Sequence, residues 1–206
     1  MDQYKKETGT TTVGLIYKDG VVLGSEKRVT MGYLIDGKKF RKIYPITKRI
    51  GITTAGSVGD AQTIVRYMRA ESNVYKFNKN KEISTRALTS LLANILQEKK
   101  YFPYMNQFII GGYDEEGAHV FSLDPLGGFV EGDDFYSTGS GSPMAFGVLE
   151  DGYKKNMKKE DAIKIVKKAI TSAMKRDIAS GEAIAIAVID EKGYKDLSEE
   201  EIKKIE

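Results

Sequence analysis

The sequence predicts an α+β domain built as a four-layer sandwich, in which two antiparallel sheets pack face to face between two pairs of helices. The predicted elements run in the order strands, two helices, strands, two helices, strand. Turns such as Lys18-Asp19-Gly20 join neighbouring strands as hairpins, and hairpin-linked strands are antiparallel. Each predicted helix has an apolar stripe that needs a sheet to cover it, and this layering buries all of them.

The N-terminal half predicts two strand pairs followed by two helices. Four apolar segments have the character of strands: 11–17, 21–26, 40–46 and 49–55. The segment Gly56-Ser57-Val58-Gly59-Asp60 ends the fourth strand and begins a helix that we expect to reach about Tyr75. Asp60 lies in its first turn, where a negative charge suits the helix dipole. A second helix is predicted over 84–99 from apolar residues at helical spacing: Leu88, Leu91, Leu92, Ile95 and Leu96.

The C-terminal half repeats this order and adds a final strand and a short helix. Its first four strands are predicted at 107–113, 119–123, 128–130 and 134–138. A helix begins near Ser142-Pro143, where proline suits the first turn, and another covers about 159–177. An apolar strand follows at 184–190, and Ser198-Glu199-Glu200-Glu201 is a capping box that begins the last helix. No linker or repeat interrupts the chain, so we expect one domain.

Composition excludes several classes of function. The chain has 206 residues, no cysteine and a net charge of +3 from 32 basic and 29 acidic residues. Disulfides and thiolate metal sites are therefore absent, and a reducing compartment such as the cytoplasm is expected. No basic stripe indicates nucleic-acid binding, and no apolar run reaches the length of a membrane span. The polar start of the chain does not fit a signal peptide. We expect neither a metal nor a cofactor.

The run Gly9-Thr10-Thr11-Thr12 predicts the chemistry. A hydroxyl nucleophile needs a base, and with His119 as the only histidine and no cysteine the Ser-His-Asp and Cys-His solutions are poorly supported. A threonine at the start of a processed chain can use its own α-amine as that base. Gly9-Thr10 is a suitable bond to cut, because glycine does not hinder attack on its carbonyl carbon. An ordinary first strand is the competing interpretation of this run.

Such a threonine needs supporting groups elsewhere in the chain. Lys42 is a candidate, because a cation beside the amine disfavours its protonation. A buried lysine needs carboxylate partners, for which Glu26 and Asp177 are the candidates. Gly56 is a plausible donor of a backbone N–H to an oxyanion. Taken singly, Lys42 also fits a surface strand position and Gly56 a simple turn.

The residues alone do not decide the roles of Ser140 and Ser180, since each fits either a loop or the start of a helix. Eight segments, however, form a joint pattern: Gly9-Thr10-Thr11-Thr12-Val13-Gly14, Ser25-Glu26-Lys27-Arg28, Lys42-Ile43-Tyr44, Ala55-Gly56-Ser57-Val58-Gly59-Asp60-Ala61-Gln62, Gly111-Gly112-Tyr113-Asp114, Ser122-Leu123-Asp124-Pro125, Gly139-Ser140-Gly141-Ser142-Pro143 and Arg176-Asp177-Ile178-Ala179-Ser180-Gly181. In this order and spacing they make the chain resemble the β subunits of the 20S proteasome, most closely the archaeal type, over essentially its whole length.

The resemblance implies an N-terminal nucleophile (Ntn) hydrolase fold and a threonine protease. It implies that residues 1–9 are a propeptide removed autocatalytically between Gly9 and Thr10, which leaves 10–206 as one catalytic domain. Thr10 then attacks peptide carbonyls, and its amine moves the proton through a water. The matching positions imply these roles: Glu26 and Lys42 as the charged pair beneath the nucleophile, Asp177, Ser140 and Ser180 as the holders of the amine and its water, Gly56 as the oxyanion donor, and Thr30 with Gly56 as the substrate clamp.

The resemblance also implies the specificity pocket and the partners. Val29, Phe40, Thr54 and Val58 fall where the family lines the pocket for the residue before the scissile bond, so we expect cleavage after hydrophobic residues. The implied partners are further copies of this chain in two stacked seven-membered rings, rings of α subunits, an ATP-dependent unfoldase and unfolded protein substrates. This assembly would confine the protease inside a barrel.

Two alternatives to an active 20S proteasome β subunit stay open, one that differs in activity and one that differs in assembly. A structural β subunit that never matures need not keep Thr10, Glu26, Lys42 and Asp177 together, whereas this chain keeps all four. The simpler two-ring bacterial peptidase of the same fold also begins with a threonine. The segment 139–143 and the long final third of the chain suit the proteasome better.

Overall fold

Residues 9–205, the part of the chain that the computed structural model describes, form two five-stranded antiparallel sheets, one two-stranded hairpin and five helices. The strands are β1 (Thr12–Tyr17), β2 (Gly20–Glu26), β3 (Val29–Met31), β4 (Leu34–Gly37), β5 (Ile43–Pro45), β6 (Ile50–Gly56), β7 (Asn106–Asp114), β8 (Gly117–Leu123), β9 (Phe129–Gly132), β10 (Phe135–Thr138), β11 (Ile184–Asp190) and β12 (Gly193–Asp196). The helices are α1 (Val58–Lys79), α2 (Thr85–Glu98), α3 (Ser142–Gly152), α4 (Lys159–Met174) and α5 (Glu199–Lys203). Of the predicted propeptide, all but Gly9 lies outside the described residues.

The two large sheets have simple antiparallel topologies. The first has the strand order β10-β1-β2-β11-β12, and the second has the order β5-β6-β7-β8-β9. The predicted first hairpin is present, since Tyr17 pairs with Gly20 across the turn. In the first sheet β1 and β2 lie side by side near the centre, so the residues at the start of β1 and at the end of β2 adjoin at one edge of the sandwich.

Three apolar clusters hold the four layers together. One lies between the first sheet and helices α3 and α4 and contains Leu15, Val166 and Ile186. Another lies between the second sheet and helices α1 and α2. The third lies between the two sheets and includes Leu23 and Ile109, both fully buried. The predicted αββα sandwich is therefore confirmed, with a helix pair on each outer face.

Several element bounds differ from those predicted. Helix α1 continues to Lys79 rather than Tyr75, and it ends at Asn80 in the left-handed conformation with φ of 52°. Its last turn, residues 76–79, is exposed and follows no apolar stripe, so apolar spacing did not reveal it. None of the helices within residues 9–205 is long and apolar enough to cross a membrane.

Two differences bear directly on candidate residues. The strand predicted over 40–46 is confined to β5, so Lys42 lies just before it. Helix α4 ends at Met174, so Asp177 lies in the segment after the helix and not inside it. The small hairpin β3–β4 and the strand β12 were not predicted, since β4 is short and exposed and β12 is short and half polar.

Leu23→Ala tests the contact between the sheets. Leu23 is fully buried in the cluster between the sheets, and its truncation leaves a cavity in a close-packed layer. We expect a loss of about 2–5 kcal/mol in the free energy of unfolding, measured by urea denaturation. Leu126→Ala, at a half-exposed turn position, is the control and should change it little. Equal losses in the two variants would contradict the packing described.

Candidate active site

Thr10 lies in a closed backbone setting immediately before β1. The residue is 3% exposed, and its carbonyl oxygen accepts a hydrogen bond from the N–H of Gly141 at 3.2 Å. Gly139 approaches the same carbonyl with φ of 92°, and a Cβ atom at Gly139 would lie 2.2 Å from it. Only glycine fits both the left-handed backbone and this close approach. The loop 139–141 therefore fixes the main chain of Thr10.

A buried ion pair contacts the hydroxyl of Thr10. The Oγ1 of Thr10 donates to Oε1 of Glu26 at 2.5 Å, and Nζ of Lys42 donates both to that hydroxyl and to the same carboxylate oxygen. Glu26 is fully buried and Lys42 is 5% exposed. Burial lowers the pKa of Lys42, while the charge of Glu26 acts in the opposite direction. The pair thus holds a lysine of weakened basicity against a threonine hydroxyl.

Backbone groups complete the shell around Glu26. Its Oε2 accepts from the N–H of Arg28 at 2.6 Å and from that of Gly181 at 3.3 Å. Its Oε1 also accepts from the N–H of Thr11 at 3.3 Å. A buried carboxylate is tolerated only when its lone pairs are satisfied in this way.

Asp177 belongs to a second network, which contacts the backbone nitrogen of Thr10. Its Oδ2 accepts from Ser140 Oγ at 2.7 Å and from Ser180 Oγ at 2.6 Å. Ser140 Oγ in turn accepts from the nitrogen of Thr10 at 3.1 Å. Asp177 was expected as a second carboxylate partner of Lys42, but among residues 9–205 only Glu26 forms an ion pair with it. The charge of Asp177 acts on Lys42 from farther away, where it opposes the lowering of the Lys42 pKa by burial. Asp177 instead binds two hydroxyls, because the turn after α4 places it beside Ser140 and Ser180.

Thr10 and Lys42 both line a cleft in the protein surface. All four predicted pocket residues line it, together with both predicted clamp residues: Val29, Phe40, Thr54, Val58, Thr30 and Gly56. Thr30 Oγ1 is buried and has no hydrogen-bond partner within residues 9–205. Sequence analysis missed Arg28 and Ala61, which also line the cleft.

Gly56, two residues before the start of helix α1, has a backbone conformation that residues with a side chain rarely adopt. Its φ is 142°, and a Cβ atom there would lie 2.1 Å from the carbonyl oxygen of Met105. That oxygen accepts from Ser57 N at 2.8 Å, while Asn106 Nδ2 donates to Ser57 O at 2.8 Å. Asp60 Oδ2 accepts from Met105 N at 2.9 Å. These contacts tie the turn before α1 to β7.

Besides Ala61, three residues that contact the candidate site were not singled out by sequence analysis. Thr11 and Arg28 lie within the segments that carry the resemblance, but nothing in their spacing pointed to a role. Arg28 donates to Ile178 O at 2.9 Å and to Glu182 Oε1 at 3.2 Å, which fastens the turn that carries Ser180. Asn106 is distant from Gly56 in the chain, and only the β6–β7 register brings them together.

His119 lies apart from this site. It is in β8, with Nδ1 2.9 Å from Glu131 Oε1 and Nε2 3.3 Å from Asp114 Oδ1, and it does not line the cleft. Within residues 9–205, no group of three or more histidine, aspartate and glutamate side chains is placed to hold a metal ion.

The fold and the site together indicate a class of proteins, the Ntn hydrolases. A sandwich of two antiparallel sheets between helix pairs, with a buried threonine at the start of the first strand, is the fold of the Ntn hydrolases. A family model described as Proteasome subunit matches residues 6–189. The chain belongs to the proteasome subunit family.

Relatives of similar length agree with this assignment. The chain is 54% identical over 198 residues to the proteasome subunit beta of Methanocaldococcus fervens, with 96% of this chain and 88% of the relative covered. It is 52% identical over 197 residues to that of Ferroglobus placidus, with 96% and 94% covered. It is 48% identical over 204 residues to that of Methanoregula boonei, with 98% and 96% covered. The resemblance to archaeal proteasome β subunits is confirmed.

Gly56→Ala tests the turn before α1. Both the backbone conformation and the contact with Met105 O exclude a side chain, so we expect a loss of about 1–3 kcal/mol in the free energy of unfolding. Gly59→Ala is a matched control in the first turn of α1, since nothing lies within 4 Å of a Cβ atom there. Alanine within a helix should leave stability unchanged or raise it. Thermal unfolding of both variants measures the difference, and a Gly56→Ala variant as stable as Gly59→Ala would contradict the conformation described.

Proposed function

We propose that this chain is the proteolytic β subunit of a 20S proteasome, a threonine-type endopeptidase that degrades unfolded proteins to short peptides. The observation that favours activity over a silent structural role is the contact of one hydroxyl with both members of a buried ion pair. That hydroxyl belongs to Thr10, which follows Gly9 directly and lines the cleft. A subunit that never matures has no need of this costly arrangement.

The first reaction is cleavage of the chain's own Gly9–Thr10 bond. Thr10 Oγ1 attacks the carbonyl carbon of Gly9, the bond from that carbon to the Thr10 nitrogen breaks, and an ester forms in its place. Before this step Thr10 has no free amine, so the Lys42–Glu26 pair, which contacts the hydroxyl, takes its proton, and the departing nitrogen of Thr10 receives a proton as its bond to the Gly9 carbon breaks. Burial favours this role, because it lowers the pKa of Lys42. Water then hydrolyses the ester, which releases residues 1–9 and frees the amine.

The second reaction is the same attack on a substrate peptide. The freed amine of Thr10 accepts the hydroxyl proton through a water and passes it to the leaving amine. Asp177 and Ser140 support this role, since Ser140 already accepts from the Thr10 nitrogen. The N–H of Gly56, at the N-terminal end of α1, is proposed to stabilise the oxyanion.

The cleft suits an extended peptide with an apolar side chain. Thr30, in the middle of β3, and Gly56, at the end of β6, both line the cleft with Thr10, where main-chain hydrogen bonds can hold a peptide as an added strand. Thr30 Oγ1 is buried without a partner among the described residues and is available to such a peptide. Val29, Phe40 and Val58 give the pocket an apolar lining, whereas Thr54 adds a hydroxyl. We therefore propose cleavage after hydrophobic residues of moderate size.

Members of the proteasome family assemble into rings. For this chain we propose two stacked seven-membered rings, capped by α-subunit rings, served by an ATP-dependent unfoldase and located in the cytoplasm. Exposed aromatic side chains support burial in such contacts, since Tyr33, Phe77 and Phe102 are 98%, 90% and 88% exposed. Relatives that carry the name proteasome subunit beta at about half identity favour this assembly over the two-ring bacterial peptidase.

Thr10→Ala removes the proposed nucleophile. We expect the variant to keep residues 1–9 attached and to lose peptidase activity, while Thr10→Ser, which keeps a hydroxyl, retains both reactions at a reduced rate. Intact mass of the assembled particle reports processing, and hydrolysis of a fluorogenic peptide reports turnover. A processed and active Thr10→Ala particle would show that another residue is the nucleophile.

Lys42→Met separates the catalytic role of the buried pair from its structural role. The single variant leaves the charge of Glu26 buried without a partner, so we expect a loss of about 3–5 kcal/mol in the free energy of unfolding. The double variant Lys42→Met/Glu26→Gln removes both charges and should recover most of that stability without recovering processing or peptidase activity. Lys18→Met, at an exposed turn, is the control. Full activity in the stable double variant would remove the pair from the mechanism.

A further inference from the structure

Thr11, the residue after the proposed nucleophile, is joined to the Asp177 network. It is fully buried, and its Oγ1 lies 2.6 Å from Ser180 Oγ. Gly141 packs closely against it, since a Cβ atom there would lie 2.0 Å from the same Oγ1. The hydroxyl of Thr11 therefore occupies a site shaped for it, and neither the sequence pattern nor the proposed mechanism has assigned it a role.

The direction of every hydrogen bond in this network follows from the chemistry of Asp177. An ionised carboxylate only accepts, so Ser180 and Ser140 each donate their single O–H proton to Asp177 Oδ2. For Ser140 the alternative acceptor, the carbonyl oxygen of Thr10, is more distant at 3.4 Å against 2.7 Å. Ser180 can then only accept from Thr11, which means that Thr11 is the donor of that 2.6 Å contact. For the same reason Ser140 accepts from the nitrogen of Thr10.

The resulting chain of donors has two arms that converge on one carboxylate oxygen. One arm runs from the nitrogen of Thr10 through Ser140 to Asp177, and the other runs from Thr11 through Ser180 to the same atom. Without the donor on Thr11, the lone pairs of Ser180 are left unsatisfied at a position that is 1% exposed. The Ser180 donation to Asp177 then weakens, because hydrogen bonds in a chain polarise and strengthen one another. Asp177 is held less firmly in the position at which it accepts from Ser140.

We infer that Thr11 is a positioning residue of the active site, whose hydroxyl keeps Ser180 donating to Asp177 and so fixes the Ser140 contact with the Thr10 nitrogen. The inference rests on the proposed function, because it concerns the group that holds the amine of Thr10. Thr11 itself does not line the cleft, so it acts through Ser180 and Asp177 and not on the substrate.

Thr12 provides a control from the next position. It is also fully buried, and its Oγ1 lies 2.9 Å from Thr53 Oγ1 and 2.7 Å from Thr138 Oγ1. None of these three hydroxyls contacts Asp177, Ser140 or Ser180. Replacing either threonine with valine deletes a buried hydroxyl at nearly constant volume, but only Thr11→Val breaks the proposed network.

The test compares assembled particles of the wild type, Thr11→Val, Thr11→Ser and Thr12→Val. Intact mass gives the processed fraction, a fluorogenic peptide gives kcat and KM per processed chain, and thermal unfolding gives stability. We expect Thr11→Val to lower kcat about tenfold, the worth of one buried hydrogen bond, with KM nearly unchanged. Thr11→Ser, which restores the donor, should recover kcat, and Thr12→Val should keep it at a similar loss of stability.

A double-mutant cycle makes the test specific to Ser180. In a Ser180→Ala background the donor has no acceptor, so Thr11→Val should cost little further kcat. If Thr11→Val does not assemble, Thr11→Ala takes its place in the same cycle. Additive losses, a kcat for Thr11→Val equal to that of Thr12→Val, or failure of Thr11→Ser to recover kcat would each overturn the positioning role.

The same assay separates this inference from the proposed function. An active wild type with an inactive Thr10→Ala particle, together with a fully active Thr11→Val, would overturn the positioning role alone. Peptidase activity that persists in Thr10→Ala would overturn the proposed nucleophile and the inference with it.

Discussion

The buried contact between Glu26 and Lys42 constrains the rest of the candidate site. A carboxylate and an ammonium lose several kcal/mol of hydration when they are buried, and only close pairing and complete hydrogen bonding offset that loss. Glu26 therefore takes backbone donors from three separate segments, through Thr11, Arg28 and Gly181. Each of these donors fixes a stretch of main chain that also serves Thr10. The requirement to satisfy one buried charge thus organises the start of β1, the end of β2 and the turn after α4.

Thr10 contacts two hydrogen-bond networks through different atoms. Its side-chain oxygen contacts the ion pair, while its nitrogen contacts Ser140 and, through it, Asp177. A hydroxyl that attacks and an amine that moves protons have different needs, and the two networks contact the hydroxyl and the nitrogen respectively. The sandwich makes this possible, because β1 lies between β2 and β10 and receives groups from the strand on each side. In the proposed mechanism, cleavage of the Gly9–Thr10 bond converts the second network from holding an amide to holding an amine.

Layering and element order were predictable from the sequence because apolar spacing and hairpin turns are local features. Thr10 was predicted from the chemistry of a hydroxyl nucleophile in a chain without cysteine, while the pairing of Glu26 with Lys42 beneath it came from the resemblance. The structure brings these three residues into contact, as expected. The partner of Lys42 was only half predicted, since the choice between Glu26 and Asp177 depends on where α4 ends, and polar helix ends leave a weak pattern. Asn106 and Arg28 act through contacts between distant segments, which no local spacing reveals. The hydroxyl of Thr11 required the direction of individual hydrogen bonds, which depends on side-chain positions.

A crystal structure of the assembled particle with a peptide aldehyde bound tests the proposed nucleophile most directly, because the aldehyde carbon forms a reversible bond with the attacking oxygen. We expect Thr10 to be the first residue of the chain, with its Oγ1 bonded to the aldehyde carbon and the new oxygen facing the N–H of Gly56. A bond to any other side chain, or an intact Gly9–Thr10 bond in a particle that hydrolyses peptides, would contradict the proposed mechanism.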